Sequence, residues 1–407
     1  MNAGSPQNCL VIGAGISGLA TAIALAQQNV SVRIIEKRKD FSEYGAGIQL
    51  GPNAIHCLSA LGLTSFLEQQ IISPNALILS NLVSGTQLGK LNLGQNIQDK
   101  FGAPYWVMSR KILHDALLHR AQQLPQIILE NEAELLASDE VNDGYQVTTI
   151  HQKKLSKKSK THALIGADGV FSNFRQRLFP HKNPKFSGYI AWRGIIPKGL
   201  VPASFNQNQV HLAFGKGCHL VGYPIDKFSN YNLVVVTRGE YQKGDKLECI
   251  KAVTLQAKLG QVSEHFAALV NACASWSAWP LYANLNWDLK LFEPLKAQTL
   301  TGDAAHPLLP FLAQGAALSL EDAVILGQCF AQNNKENTAK NIFESTFRSY
   351  EKARHQRWLQ VTQAAQKNHF PYHAPFPISV ARDLVIRAHS SEALLRKYDW
   401  LYSWRPY

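Results

Sequence analysis

The opening residues switch between two apolar patterns. Residues 9–12 form a short run with no polar position, as expected of a strand buried on both faces. Residues 17–28, rich in Ala and Leu, predict a helix with Asn29 as a left-handed C-cap, and 30–36 resume β character. The result is one βαβ unit. Helices are predicted at 53–61, stopped by Gly62, and at 111–123. Residues 75–93 alternate as strands around a Ser84-Gly85-Thr86 turn, and 126–167 read as a β meander. Three or four strands are expected over 185–238, and mainly helix over 246–273. A strand at 299–302 leads into an amphipathic helix from about Gln314, with further helices at 342–367 and about 378–397. No repeat is visible. The βαβ unit and the late strand-to-helix segment lie almost 300 residues apart, which leaves room for an inserted sheet domain.

Composition narrows the class. A chain of 407 residues with 46 % hydrophobic and 17 % charged residues is an ordered protein of two or three domain-sized units. The start lacks a basic n-region and runs straight into a strand, so no signal peptide is read, and no apolar run is long enough for a bilayer. The six cysteines are scattered without a CxxC pair and read as thiols in a reducing compartment. A cytoplasmic protein with no metal site, monomer or homodimer, is expected. The net charge of +12 raises nucleic acid or a membrane surface as partners. Its densest basic run, KKLSKKSK at 153–160, reads instead as a solvated hairpin tip, because no aromatic residues interleave the lysines. The positive field would still attract a small anion.

Gly13-Ala14-Gly15-Ile16-Ser17-Gly18 is G-x-G-x-x-G between a strand and a helix. Gly13 permits the tight turn, Gly15 lets a pyrophosphate approach the backbone, and Gly18 lets the helix pack close to the sheet. Ser17 sits in the first helical turn, whose amides and dipole favour phosphate. Glu36 ends the second strand, where an acid binds ribose hydroxyls and disfavours the 2′-phosphate of NADP. Lys37 follows as a further cofactor candidate that also reads as a surface charge. A dinucleotide is therefore expected here. No second G-x-G-x-x-G follows a strand, so NAD(P)H would bind without a domain of its own.

Two later segments carry a resemblance. LIGADGVFSN at 164–173 places Asp168 at a strand end, with Arg175 and Arg177 behind it. TGDAA at 301–305 does the same for Asp303. With the glycine motif they resemble the single-component FAD-dependent aromatic hydroxylases of the para-hydroxybenzoate hydroxylase fold. GAGIQLGPNA (45–54), Ser109-Arg110, GYIAWRG (188–194), GDAAHPLLPFLAQGAA (302–317) and YEKARHQR (350–357) are most similar to the salicylate hydroxylase and 3-hydroxybenzoate 6-hydroxylase branch. The resemblance implies an α/β fold: a Rossmann-like FAD domain of the GR2 type built from 1–75, 106–180 and 276–335. It also implies an inserted β-sheet substrate domain from 76–105 and 181–275, and C-terminal helices over 336–407. It implies FAD as cofactor, NAD(P)H and O₂ as co-substrates, and hydroxylation of a phenol or aromatic acid through a C4a-hydroperoxyflavin. Asp303 is implied at a ribityl hydroxyl, and the amides of Gly315 and Ala316 at the flavin pyrimidine edge. Arg110 is implied at the cofactor, or else is a surface helix cap. Residues 45–47, Gly47 among them, are implied against the flavin ring. His306 reads as structural.

For the substrate, His219 and Tyr223 share one face of a probable strand. The resemblance implies that His219 takes the phenol proton with Tyr223 nearby; otherwise both fill the sheet face. Arg193 either meets a substrate carboxylate bidentately or holds a domain interface. Gln49 is a further candidate. The 3-hydroxybenzoate branch tends to carry Gln where this chain has Pro310, which implies a salicylate-like substrate. Hydroxypyridine hydroxylation or alkene epoxidation on the same scaffold, and a non-catalytic NAD-binding regulator, are the alternatives.

Overall fold

The computed structural model describes residues 7–41, 47–152, 154–205, 207–241, 249–283, 296–334 and 338–406. Among these, five strands form a parallel sheet in the order Gln298–Leu300, Ala163–Gly166, Asn8–Ile12, Ser31–Ile35, Ile127–Glu130. Nearly every side chain of the three inner strands is buried, which is why they read as unbroken apolar runs. The first helix, Ile16–Ala26, is buried at every residue and packs against a late helix, Gly315–Asn333. The late helix was expected to be amphipathic. It is buried almost all round from Ala317 to Phe330, because the first helix and the long helix Ala339–Tyr372 both pack on it.

The second unit is an eight-stranded sheet in the order Cys249–Ile250, Trp276–Ala283, Lys185–Pro197, Asn230–Arg238, Cys218–Ile225, Gln209–Phe214, Ala76–Asn81, Gln87–Asn92. Strand Trp276–Ala283 pairs with Lys185–Pro197. The large sheet therefore reaches past residue 275, where the sequence division had ended it. One face is apolar and covered by helices Ala252–Leu259 and Glu264–Asn271. The other carries Tyr189, Arg193, His219 and Tyr223 and faces the parallel-sheet unit, the loop after residue 306 and the C-terminal helices.

The basic run is corrected. Lys157, Lys158 and Lys160 lie not at a hairpin tip but along strand Leu155–Thr161, the exposed edge of a three-stranded antiparallel sheet. Lysines on an edge strand discourage pairing with another chain. Among the described residues no helix is long and apolar enough to cross a membrane, and no cluster of His, Cys, Asp or Glu is arranged to hold a metal ion.

Candidate functional site

Four neighbouring parallel strands deliver the motif residues as a row at their carboxyl ends. Strand Gln298–Leu300 leads to Gly302 and Asp303, Ala163–Gly166 to Asp168, Asn8–Ile12 to Gly13, and Ser31–Ile35 to Glu36. Strands about 4.8 Å apart spread this row over roughly 14 Å. The carboxyl ends of a parallel sheet are where such folds hold their ligands.

Each position is locally fixed. Gly13 has φ +105°, and a Cβ there would lie 2.5 Å from the Ala167 carbonyl oxygen; a Cβ on Gly18 would lie 1.9 Å from the Gly13 oxygen. Gly15 is the N-cap of the first helix and leaves its first-turn amides without a side-chain cap. Glu36 accepts from the Ala14 amide and the Arg38 amide, both at 3.0 Å, so it braces the glycine turn. Lys37 is exposed. The Ser17 hydroxyl is not directed to a phosphate: it shares a 3.0 Å hydrogen bond with Thr301, leaving its amide as the available donor.

Asp168 accepts from the Phe174 amide through Oδ2, while its Oδ1 is buried without a partner among the described residues. Arg175, fully buried, donates to the carbonyls of Asp303, Ala304 and Val170 and so ties the Asp168 loop to the Asp303 loop. Asp303 is half-buried. The helix Gly315–Asn333 starts without a side-chain cap, because the Gln314 amide oxygen accepts instead from Asn53. Gly315 and Ala316 therefore present free first-turn amides, and a Cβ on Gly315 would meet nothing within 4 Å.

Behind this row lies an ionic network that sequence reasoning did not place. Glu321 and Asp322 are fully buried on the late helix. Arg354 bonds both, at 2.8 Å each, and Arg357 bonds Glu321 and the carbonyls of Trp400 and Leu401. Asp322 also accepts from the Gly302 amide, Trp358 and His306, which gives His306 a structural role. Burial pushes the Asp322 carboxyl up, but His306 and Arg354 outweigh it and hold it well below the usual range. Glu321 is likewise held low, with Arg354 and Arg357 overcoming burial.

Facing the row is the second group. The Gly47 amide donates to the Asn232 side chain at 2.7 Å, and a Cβ on Gly47 would lie 2.5 Å from the Tyr223 ring. Close packing is thus required at Gly47, but against Tyr223 rather than only a flavin. Gly45 and its neighbours 42–46 lie outside the described residues. Gln49 accepts from the Tyr105 hydroxyl at 2.8 Å and lies within hydrogen-bonding reach of Tyr223. Arg193 is half-buried, stacks 4.6 Å over Trp279, and is near both Tyr223 and Arg110. Burial, followed by the Arg110 charge, lowers its pKa to about 10. No carboxylate among the described residues neutralises it. Arg110 opens helix Arg110–Gln122 behind the Ser109 cap.

His219 is buried and engaged: its Nδ1 lies 2.8 Å from Nε2 of His373, with Phe311 and Tyr372 against its ring. The loop after His306 supplies Phe311, buried, and Pro310, exposed. Phe311 and His373 escaped the sequence reading; an apolar residue in a proline loop and a histidine 154 residues from its partner carry no local signal.

The chain belongs to the family of FAD binding domains, whose model matches residues 7–365. It is 29 % identical over 400 residues to 3-hydroxybenzoate 6-hydroxylase of Polaromonas naphthalenivorans (strain CJ2), covering 97 % of this chain and 95 % of that protein. It is 30 % identical to 6-hydroxynicotinate 3-monooxygenase of Bordetella bronchiseptica (strain ATCC BAA-588 / NCTC 13252 / RB50), covering 88 % and 90 %. In fold it is similar to a salicylate hydroxylase solved with its substrate, at TM-score 0.79, 19 % identity and coverage of 98 % and 96 %. The residues present fit an FAD: glycine contacts that exclude side chains, an Asp168 oxygen orphaned among the described residues and the uncapped start of the first helix lie along one row, and the late helix also starts uncapped. The protein is a flavoprotein monooxygenase of the aromatic hydroxylase class.

Proposed function

We propose that the protein hydroxylates a small aromatic hydroxy acid with NAD(P)H and O₂, its FAD extended along the row of strand ends. The observation that carries this reading is the order of that row. Asp303, Asp168, the glycine turn and Glu36 follow one another across adjacent strands, as ribityl chain, pyrophosphate and adenosine ribose follow one another in FAD. The amides at Gly13–Gly18 and the first-helix dipole would hold the pyrophosphate, Glu36 the ribose, Asp303 the ribityl hydroxyls, and Arg110 a further cofactor contact. The amides of Gly315 and Ala316 would face the pyrimidine edge, where a helix start favours negative charge. Bound FAD supplies the redox chemistry, drawing on NAD(P)H and O₂.

The residues of the chain do the rest. Arg193, a cation without a carboxylate partner among the described residues, fits a substrate carboxylate. Tyr223 and Gln49 offer hydrogen bonds to the ring substituents, and Pro310 stiffens the loop that presses Phe311 on His219. Burial holds the Tyr223 hydroxyl protonated, so it serves as donor. His219, kept neutral by burial, has a lone pair for the phenol proton. A hydroxypyridine carboxylate is the second reading, favoured by the likeness to the 6-hydroxynicotinate enzyme.

The test is stimulated NAD(P)H oxidation with salicylate, 3-hydroxybenzoate and 6-hydroxynicotinate, with each product identified by mass. At least one acid should yield a product carrying a new hydroxyl, and Arg193→Met should raise its KM by roughly tenfold or more, the loss of a charge-assisted pair. His219→Ala should keep its FAD, lose about tenfold in hydroxylation and release more hydrogen peroxide. A purified protein without a flavin spectrum would refute the reading.

A further inference from the structure

His219 has a histidine as its hydrogen-bonding partner. His219 Nδ1 and His373 Nε2 lie 2.8 Å apart, and both rings are buried, at 3 % and 4 % exposure. A bond between two imidazole nitrogens holds one proton, donated by one ring and accepted by the other. His373 follows the long helix Ala339–Tyr372, and the ring of His369, one turn back, lies 5.3 Å from it centre to centre. His369 is half-exposed. Three imidazoles therefore lead from the sheet face that carries Tyr223 and Arg193 to the protein surface.

The surroundings make this more than packing. Tyr189 of strand Lys185–Pro197 stacks on His373 at 4.5 Å, and Phe311 and Tyr372 close over the pair. The charged groups nearby are Arg238 at the end of strand Asn230–Arg238 and Arg382 of helix Ile378–Arg387, the latter paired with Asp383. Both are cations. Burial, then His373 and His369, holds His219 well below the ordinary histidine range. Burial, then the His369 ring and after it Arg238 and Arg382, bring His373 to about 3, against a contrary pull from the His369 backbone. A base in this place accepts a proton but has nothing to retain it.

We propose that His373 and His369 relay the phenol proton from His219 to solvent, a proposal that rests on the reading of His219 as the base. The phenol O–H bond breaks as its proton moves to Nε2 of His219. The proton on His219 Nδ1 crosses to Nε2 of His373, and the proton on His373 Nδ1 leaves towards His369 and water. Each ring gains one proton and gives up one, so both end neutral with the opposite tautomer. No electrons move. The first hop is already at hydrogen-bond distance; the second, from the buried Nδ1 of His373, unpartnered among the described residues, to the neighbouring His369 ring, would need a water or a small ring movement to close it.

The experiment uses the FAD-loaded enzyme and whichever of salicylate, 3-hydroxybenzoate or 6-hydroxynicotinate it hydroxylates fastest. His373→Gln keeps an amide oxygen that can accept from His219 Nδ1 but cannot pass a proton on. It should lower kcat for hydroxylation about tenfold at neutral pH with KM and FAD content unchanged. Added imidazole should restore the rate, and the deficit should shrink as pH rises towards the pKa of the phenol. His369→Gln, at a half-exposed position, should give a smaller loss with the same imidazole rescue. Wild-type kcat in both variants, with no response to imidazole, would overturn the relay. His219→Ala separates the two ideas. Normal coupling in that variant removes the base itself, whereas a loss there beside unaffected Gln variants removes only the relay.

Discussion

Replacing Arg354 by Met removes the cation that serves both buried carboxylates of the late helix. Arg354 is 1 % exposed and lies 2.8 Å from Glu321 and from Asp322, neither of which has access to water. Arg357 still neutralises Glu321, but among the described residues Asp322 keeps only His306 as a counter-charge. Breaking a buried pair on one side costs about 3–5 kcal/mol. With about 2.1 cal/mol/K per residue over 407 residues, the melting entropy is roughly 0.85 kcal/mol/K, so Tm should fall by about 4–6 °C. The effect should also reach the cofactor, since Asp322 holds the Gly302 amide beside Asp303. Thermal melts with and without added FAD, and flavin retained after dialysis, measure both consequences. Arg354→Lys should recover only part, because one ammonium lacks the fork that meets two carboxylates. A Tm within about 1 °C of wild type for Arg354→Met, with full flavin content, would refute the reasoning.

Asp303→Ala should yield mostly apo-protein, losing tenfold or more in FAD affinity for about 1.5–3 kcal/mol of charge-assisted bonding; an unchanged flavin spectrum after dialysis speaks against it. Gly302→Ala forces a φ of +60° on a side chain whose Cβ would lie 2.6 Å from the Ser17 hydroxyl, so flavin retention and Tm should both drop, and a yellow, wild-type melt contradicts that. Glu351 is buried against Thr299, and burial raises its carboxyl to about 7 from 4.5. Its stabilising contribution is therefore full below pH 4.5 and lost as pH rises to about 7. Glu351→Gln should flatten that decline, worth about 3 kcal/mol at pH 8, and parallel stability–pH curves for the two proteins would exclude it.

The residues proposed to hold the cofactor could be picked out from local pattern because each lies where a short strand is followed at once by a constrained turn. Gly13–Gly18 with Glu36, Asp168 and Asp303 all follow that grammar, and the parallel sheet merely lines them up. The ionic network could not be read so. Glu321 and Asp322 sit in a helix that looks half-exposed, and only Arg354 and Arg357, more than thirty residues on, show why two adjacent acids can be buried. YEKARHQR was visible as a motif without a visible role. Strand Trp276–Ala283 alternates weakly, with Pro280 inside it, and takes its conformation from Lys185–Pro197. On the substrate side the candidate residues were legible as a strand face. What presses on that face, Phe311 and His373, is set by tertiary packing alone.

The row of strand ends has a consequence for synthesis. Strand Asn8–Ile12 is flanked by a strand completed at residue 35 and one completed at residue 166, and the sheet edge that carries Asp303 ends at residue 300. At 5–20 residues per second, roughly 15–60 s separate the first of these strands from the last. Through that interval the helix Ile16–Ala26, buried on every side in the finished protein, has no late helix to cover it. The clamp on Glu321 closes later still, when the carbonyls of Trp400 and Leu401 reach Arg357. Until the late helix emerges, the nascent chain therefore carries an apolar helix without the cover it has in the finished fold.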